Sequence, residues 1–197
     1  MEINVYKYLP ITKVEGPGTR FCIWVQGCSR HCDGCWAKNT WSFEPNQLIT
    51  VDEMFELIQG QKEIEGVTFL GGEPFEQAGA LSKLAEKVRA VGLSVLTFTG
   101  GCYEDLKNSN DEDILSLLNN TDLLIDGQFL KSEFDLSRPW VGSKNQRYIF
   151  LTDRYSIDEI MTYKNKAEIR IDKDGGFFIN GMGNFEDLSL KLSLQKK

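Results

Sequence analysis

Four short apolar segments, each running directly into a turn that contains glycine, constrain the fold of this chain more than any other feature. They cover residues 21–26, 66–70, 93–98 and 122–125, and they end at Gly27-Cys28, Gly71-Gly72-Glu73, Thr99-Gly100 and Asp126-Gly127. Their length and apolar character predict buried β-strands, and helical patterns at 51–59, 77–90 and 112–118 lie between them. A strand–loop–helix–strand order implies right-handed crossovers, and therefore a parallel sheet.

The chain is too short for a closed eight-stranded barrel. It has 197 residues, whereas a complete barrel of this kind takes about 250. The pattern predicts an α/β fold of about five or six mostly parallel strands, arranged as a partial, open barrel or a curved sheet. In either arrangement, the reactive groups gather at the carboxyl ends of the strands.

The last part of the chain follows a different pattern. A long loop over residues 131–146 precedes a strand at 147–151, and Ser156 is placed to begin a short helix. Residues 168–171 and 176–179 are expected to pair as a hairpin. We expect a core domain over residues 1–151 and an extension over 152–197 that packs on the same domain, with residues 188–197 fraying.

Composition excludes several classes of function. The net charge is −7, so the sequence does not predict the basic surface that a nucleic-acid partner requires. The apolar runs are too short to cross a bilayer, and the N-terminus lacks the basic and apolar regions of a secretory signal. We expect no membrane partner, and the predicted location is the cytoplasm.

Three of the five cysteines fall within eight residues, in the run Cys28-Ser-Arg-His-Cys32-Asp-Gly-Cys35. An odd number of cysteines without an export signal is a poor disulfide framework and favours a metal site. Three thiolates at these spacings can surround one [4Fe-4S] cluster and leave one iron open to a substrate.

The alternative for these cysteines is a zinc site completed by His31, Cys22 or Cys102. Neighbours in so tight a loop cannot easily all face one ion. Cys22 lies within a predicted strand, where a cysteine is more typical of the core. We therefore favour the iron–sulfur interpretation, with His31 as a solvated loop residue and Cys102 without a role.

The turn Gly71-Gly72-Glu73-Pro74 follows the second predicted strand at the same edge of the sheet. Paired glycines let a ligand approach the backbone closely. Glu73 can accept hydrogen bonds from an ammonium group, and Pro74 fixes the turn. The same residues would also suit an ordinary strand-to-helix turn, but together with the cysteine run they indicate a cofactor site.

With these two motifs the sequence resembles the radical S-adenosylmethionine superfamily and, within it, the activating enzymes of anaerobic ribonucleotide reductase. The resemblance covers residues 14–151. Besides the cysteine run and GGEP, it comprises the segments GPGTR at 16–20, WAKNTW at 36–41, TG at 99–100, DGQF at 126–129 and GSKNQR at 142–147. The last two segments indicate the activating enzymes rather than the superfamily at large.

The resemblance implies a role for each motif. Cys28, Cys32 and Cys35 would hold the [4Fe-4S] cluster, whose open iron takes the amino and carboxylate groups of S-adenosylmethionine. The methionine end would lie on the GGEP turn, and the adenine would lie beside the third cysteine. Many superfamily members carry an aromatic residue before that cysteine, whereas this chain has Gly34 there and Trp36 after it. The implied cofactor contacts are Gly34, Trp36, Gly71, Gly72, Glu73, Thr99 and Asp126.

Four residues have alternative roles. Asp126 would either contact the cofactor or cap a turn. Arg20 would hold a carboxylate or a partner protein, or it would be a surface residue beside a tight turn. Trp36 and Trp41 are expected in the core rather than at an interface.

The function that the resemblance implies is formation of a radical on another protein. The partner would be a large glycyl-radical enzyme, anaerobic ribonucleotide reductase, and a low-potential donor such as flavodoxin would supply the electron. One alternative is a radical enzyme that acts on a small molecule, similar to 7-carboxy-7-deazaguanine synthase, or on another glycyl-radical enzyme. Another is a non-catalytic iron–sulfur or zinc interaction module.

Overall fold

The structure is a computed structural model that describes residues 1–171 and 173–183. Its strands are β1 (Glu2–Thr12), β2 (Arg20–Val25), β3 (Gln47–Thr50), β4 (Gly66–Gly71), β5 (Ser94–Phe98), β6 (Leu123–Asp126), β7 (Arg147–Phe150), β8 (Ala167–Ile171) and β9 (Phe177–Gly181). Its α-helices are α1 (Val51–Gln59), α2 (Ala78–Ala90), α3 (Tyr103–Lys107), α4 (Glu112–Asn119) and α5 (Ile157–Ile160). Short 3₁₀ helices occur at Lys38–Thr40, Pro74–Gln77 and Lys131–Glu133.

Within the described residues, seven strands form one sheet in the order β3-β1-β2-β4-β5-β6-β7. The four strands β2, β4, β5 and β6 pair in parallel, and β1, β3 and β7 join them antiparallel at the two sides. The predicted parallel arrangement is therefore confirmed for the centre of a mixed α/β fold. Parallel strands place their carboxyl ends at one edge of the sheet.

The predicted strand number was too low, because the antiparallel strands β1 and β3 were not recognised. The pairing of β1 with β2 shifts register between Val5 and Lys7 and again between Leu9 and Thr12. Each shift interrupts the alternation of buried and exposed residues that identifies a strand in a sequence. The strand β3 has only four residues, none of which is fully buried.

Helices α1 to α4 pack on one face of the sheet in the main core, whereas Ile160 of α5 packs on the other face with Leu96 and Leu123. Helix α1 begins at a capping box in which the side chains of Thr50 and Glu53 each bond the other residue's backbone N–H. In α2, the predicted apolar stripe is confirmed, since Leu81, Leu84 and Val88 are fully buried in the main core. No helix in the described part of the chain is both long and apolar enough to cross a membrane.

The predicted hairpin is present as β8 and β9, which pair antiparallel as a separate two-stranded sheet. It packs near the opposite face of the main sheet, where the Phe178 ring meets Trp24 edge-on with centroids 5.6 Å apart. Thr12 Oγ1 donates to Glu168 at 2.9 Å, and Asn180 donates to Thr12 at 3.1 Å. The predicted fraying of residues 188–197 lies outside the described residues.

Arg20 is a structural residue at the start of β2. Its side chain is fully buried, which excludes both the surface position and the partner contact considered for it. Its guanidinium donates to Thr68 Oγ1 at 2.6 Å, to Ser94 Oγ at 3.0 Å and to the Val67 carbonyl at 2.5 Å. The arginine thus connects β2 with β4 and β5 from inside the fold.

Candidate functional site

The carboxyl ends of the parallel strands meet at one edge, as the sequence predicts, and main-chain hydrogen bonds connect them. Gly72 N donates to the Val25 carbonyl and Glu73 N to the Gly27 carbonyl, both at 2.9 Å. Thr99 N donates to the Ile125 carbonyl at 2.9 Å, and the Gly127 amide donates to Gly101 at 2.8 Å. These bonds join the end of β2 to the turn after β4, and the end of β6 to the turn after β5, along one rim.

The three clustered cysteines occupy a single loop after β2. Cys28 is buried at its start and donates its backbone N–H to the Trp41 carbonyl at 3.2 Å. Cys32 and Cys35 are half-buried, and Cys35 N donates to the Cys32 carbonyl at 3.1 Å. Positive φ angles at His31 (44°) and Gly34 (76°) reverse the chain between the cysteines. This backbone brings three free thiols into one tight loop.

The donor set fits an iron–sulfur cluster. Among the described residues, no group of three or more His, Cys, Asp or Glu side chains surrounds one point closely enough to hold a single metal ion. A cubane cluster does not require such a group, because each cysteine binds a different iron. Burial raises the pKa of both the Cys28 and the Cys35 thiol, and each must lose its proton to become an iron ligand.

Cys22 lies in the core, as predicted. Its side chain is fully buried beside Leu9 and Trp24. Burial raises the pKa of this thiol well above its usual range, so Cys22 is protonated and inert.

Glu73 occupies the centre of the rim, buried and with both carboxylate oxygens engaged. Oε1 accepts from Thr99 Oγ1 at 2.9 Å and from Phe75 N at 3.2 Å. Oε2 accepts from Gly100 N at 2.9 Å and from Arg30 Nε at 2.8 Å. The structure thus brings Glu73 and Thr99 together, as the sequence predicts, and adds an arginine from the cysteine loop.

The paired glycines have a structural reason different from the one expected. A Cβ on Gly71, whose φ is +100°, would lie 2.7 Å from Trp24 Cα. A Cβ on Gly72 would lie 2.1 Å from the Gly27 carbonyl oxygen. Close approach of the chain's own backbone at the end of β2 therefore already requires both glycines, before any ligand is considered.

The residues around the third cysteine pack against the loop that follows β6. A Cβ on Gly34 would lie 3.1 Å from Lys131 Cδ and 3.3 Å from Phe129. The expectation that Trp36 belongs to the core is wrong, since it is 56% exposed. Trp41 is half-buried and stacks on His31 with ring centroids 4.6 Å apart.

Asp126 is buried at the end of β6 with its carboxylate held by protein groups. It accepts from Tyr103 N at 2.8 Å, and Arg147 donates to it from Nε at 3.0 Å and from Nη2 at 2.5 Å. Arg147 also pairs with Glu104 at 2.7 Å. Asp126 therefore caps the turn at the start of α3 and forms an ion pair with Arg147 at the rim.

A cleft of about 510 Å³ opens along this rim. Its lining residues are Arg30, Gly100–Cys102, Glu104–Leu106, Asp126–Gln128, Leu130, Asn145 and Arg147. A larger cleft of about 600 Å³ is lined only by residues 48–61 of β3, α1 and the turn after it. None of those residues is at the carboxyl end of a parallel strand. The smaller cleft, whose lining includes Arg30 and Asp126 but neither Glu73 nor the clustered cysteines, therefore borders the candidate site.

Comparison with known proteins identifies the family of this chain. Residues 14–149 match the family described as the 4Fe-4S single cluster domain. The anaerobic ribonucleoside-triphosphate reductase-activating proteins of Vibrio cholerae and Escherichia coli K12 are each 31% identical over 152 residues, covering 73% of this chain and 96% of the relative. That of enterobacteria phage T4 is 32% identical over 157 residues, covering 77% and 96%. The chain belongs to the family of anaerobic ribonucleoside-triphosphate reductase-activating proteins.

Family membership makes the chain a radical S-adenosylmethionine enzyme with a [4Fe-4S] cluster. These relatives align over nearly their full length, yet about a quarter of this chain lies outside the alignment. Among solved structures, QueE from Escherichia coli matches 51% of this chain and 54% of its own, with 21% identity and a TM-score of 0.44. That likeness is too weak to bear on function.

Two rim residues of this family member were not singled out from the sequence. Arg147 lies within the segment GSKNQR, and Arg30 lies between the first two clustered cysteines. An arginine carries no periodic signal, so only its position within a functional motif could have identified it. The structure assigns both to carboxylates that the sequence did single out.

Proposed function

We propose that this chain cleaves S-adenosylmethionine reductively and generates a glycyl radical on anaerobic ribonucleotide reductase. The observation that carries the proposal is the junction of the cysteine loop with the GGEP turn. Two main-chain hydrogen bonds connect the ends of β2 and β4, so the loop with the three cysteines and the buried Glu73 share one rim. The names and near-complete alignment of the relatives support the choice of partner.

In this proposal Cys28, Cys32 and Cys35 would hold the [4Fe-4S] cluster, which would also take S-adenosylmethionine. When bound and reduced, the cluster would supply one electron for cleavage of the C5′–S bond of S-adenosylmethionine. The proposed cofactor contacts are Gly34, Trp36, Gly71, Gly72, Glu73, Thr99 and Asp126. The task of these residues is to bind, orient and exclude water, while the cofactor carries the chemistry.

We further propose that the sheet is the partial barrel typical of radical S-adenosylmethionine enzymes. Four parallel strands with covering helices on one face support this assignment. An open barrel leaves a side through which a loop of a large protein partner can bring its glycine to the rim. A flavodoxin-like protein would serve as electron donor in the cytoplasm, where the free cysteines would stay reduced.

Anaerobic reconstitution tests the proposal. The protein is loaded with iron and sulfide, reduced, and incubated with S-adenosylmethionine and the candidate reductase. We expect 5′-deoxyadenosine by chromatography and a glycyl radical by electron paramagnetic resonance. A Cys32→Ala variant serves as the control, because it lacks one proposed iron ligand.

Two results would contradict the proposal. Cleavage without a radical on any reductase would favour a small-molecule substrate or another glycyl-radical enzyme. No cleavage by a fully loaded and reduced protein would instead indicate a non-catalytic iron–sulfur module.

A further inference from the structure

The carboxylate of Glu73 has no vacant position for a new hydrogen-bond donor. A carboxylate offers about four lone-pair sites, and four donors already lie on this one. They are Phe75 N, Thr99 Oγ1, Gly100 N and Arg30 Nε. A cofactor ammonium that binds Glu73 must therefore replace one of these donors.

Three of the four donors are fixed by the fold. Phe75 N belongs to the 3₁₀ turn that Glu73 itself caps, and Gly100 N is a main-chain group at the end of β5. Thr99 is buried, and its hydroxyl oxygen also accepts from Gly101 N at 2.9 Å. Arg30 differs from these three because its side chain is long and 33% exposed.

We propose that Arg30 holds Glu73 while the site is empty of S-adenosylmethionine and yields its position to the methionine ammonium when the cofactor binds. This inference rests on the proposed function, which places that ammonium at Glu73. The exchange substitutes one cationic donor for another, so the buried carboxylate keeps a positive partner in both states. Such continuity matters because an unpaired buried charge is strongly destabilising.

The surroundings of Arg30 allow its side chain to leave without moving the cysteine loop. Glu76 accepts from both the backbone N–H and the hydroxyl of Ser29, and His31 stacks on Trp41. These contacts fix Ser29 and His31 on each side of Arg30, so the Arg30 side chain can move while the backbone of the loop stays in place.

The rim cleft can accommodate the Arg30 side chain after it leaves Glu73. Arg30 packs over Gly100, where a Cβ would lie 2.4 Å from its Cδ, and it lines the rim cleft. The carboxylates of Glu104, Asp105 and Asp126 line the same cleft together with Arg147, so acidic groups still outnumber basic ones there once Arg30 is set aside, and the freed guanidinium meets an acidic environment.

Arg30→Ala tests the proposal through binding rather than turnover. Without Arg30, the ammonium gains a charge-assisted hydrogen bond that it need not exchange for another. We expect S-adenosylmethionine to bind about tenfold more tightly, a change equivalent to about 1.4 kcal/mol. Anaerobic calorimetry on the reconstituted protein gives the Kd, with iron and sulfide content confirming the cluster. Arg30→Gln, which removes the charge but keeps a donor, should shift the Kd in the same direction and serves if the alanine variant does not load its cluster.

Arg89→Ala is the matched control. Arg89 lies in the last turn of α2. Its side chain is likewise 33% exposed and lies 3.7 Å from the buried carboxylate of Asp122. We expect its Kd to equal that of the wild type. In a Glu73→Gln background, the effect of Arg30→Ala should disappear, because the two side chains then no longer form an ion pair.

Unchanged or weaker binding in both Arg30 variants would overturn the exchange, and weaker binding would indicate a direct contact of Arg30 with the cofactor. The reductase is absent from this experiment. Failure to form a glycyl radical would thus leave the result standing, whereas a wild-type protein that does not bind S-adenosylmethionine would contradict the proposed function itself.

Discussion

Gly72→Ala separates the rim's geometry from its side-chain chemistry. The added methyl group would lie 2.1 Å from the Gly27 carbonyl oxygen and 3.0 Å from that of Val25. Both are main-chain atoms and cannot rotate away. The turns after β2 and β4 must therefore separate by about 1 Å to restore an ordinary contact.

That separation would break the two main-chain hydrogen bonds that connect the turns, Gly72 N to Val25 and Glu73 N to Gly27. Each bond contributes about 0.5–1.5 kcal/mol, and a buried group left without a partner costs about 1–3 kcal/mol. We expect unfolding of the cluster-free variant to require about 2–4 kcal/mol less, which lowers the Tm by roughly 5–15 °C in a chain of this length. A 1 Å shift between the cysteine loop and Glu73 should also slow S-adenosylmethionine cleavage by about 10²-fold.

Urea unfolding of the cluster-free protein and anaerobic 5′-deoxyadenosine formation measure the two effects. Gly60→Ala is the control, because a Cβ there would meet its nearest atom at 3.4 Å and the residue already has a helical φ of −63°. Its stability should change by no more than about 0.5 kcal/mol. If Gly72→Ala matched this control in both assays, the close approach of the two turns would matter neither for stability nor for cleavage.

Three further predictions follow from single residues. Cys32→Ala should lose the site-differentiated cluster while Cys102→Ala keeps it, as iron and sulfide analysis would show; a full cluster in the first variant would contradict the ligand assignment. Burial raises the pKa of Glu15 from 4.5 to about 7, so folding favours its protonated form. Stability should therefore fall as the pH rises from about 4.5 to 7, by up to about 3 kcal/mol. In Glu15→Gln this pH-dependent contribution should be absent. If urea unfolding gives the variant and the wild type the same difference in unfolding free energy between about pH 5 and about pH 7.5, the assignment is refuted. Arg20→Lys should destabilise the cluster-free protein by about 3–5 kcal/mol, because an ammonium cannot make all the bonds of the buried guanidinium; urea unfolding close to that of the wild type would contradict this.

Periodic patterns predicted the elements whose burial is regular. Helix α1 was predicted with the observed bounds, since Met54 and Ile58 repeat at helical spacing and are fully buried. Strand β1 was missed because its register shifts hide the alternation of buried residues such as Ile3 and Val5. The sequence therefore indicated the parallel centre of the sheet more reliably than its antiparallel sides.

Motifs predicted where the site lies but not how its parts contact one another. The sequence placed Glu73 and Thr99 at neighbouring strand ends, and the structure joins them with a hydrogen bond of 2.9 Å. It could not show that Arg30 would reach Glu73, or that Gly72 serves a contact with Gly27. Both depend on distances between loops far apart in the chain, which no local pattern encodes. The individual iron ligands and cofactor contacts stay predictions.

The main-chain hydrogen bonds along the rim also have a dynamic consequence. The amides of Gly72 and Glu73 bond carbonyls at the end of β2, and those of Thr99 and Gly127 join the ends of β5 and β6. The Glu73 carboxylate connects the two pairs, because it accepts from Thr99 Oγ1 and Gly100 N. The four amides should therefore exchange with solvent deuterium as one cooperative unit rather than as independent loops. A perturbation confined to the cysteine loop, such as loss of the cluster, would then be sensed at the end of β6 through the Glu73 carboxylate.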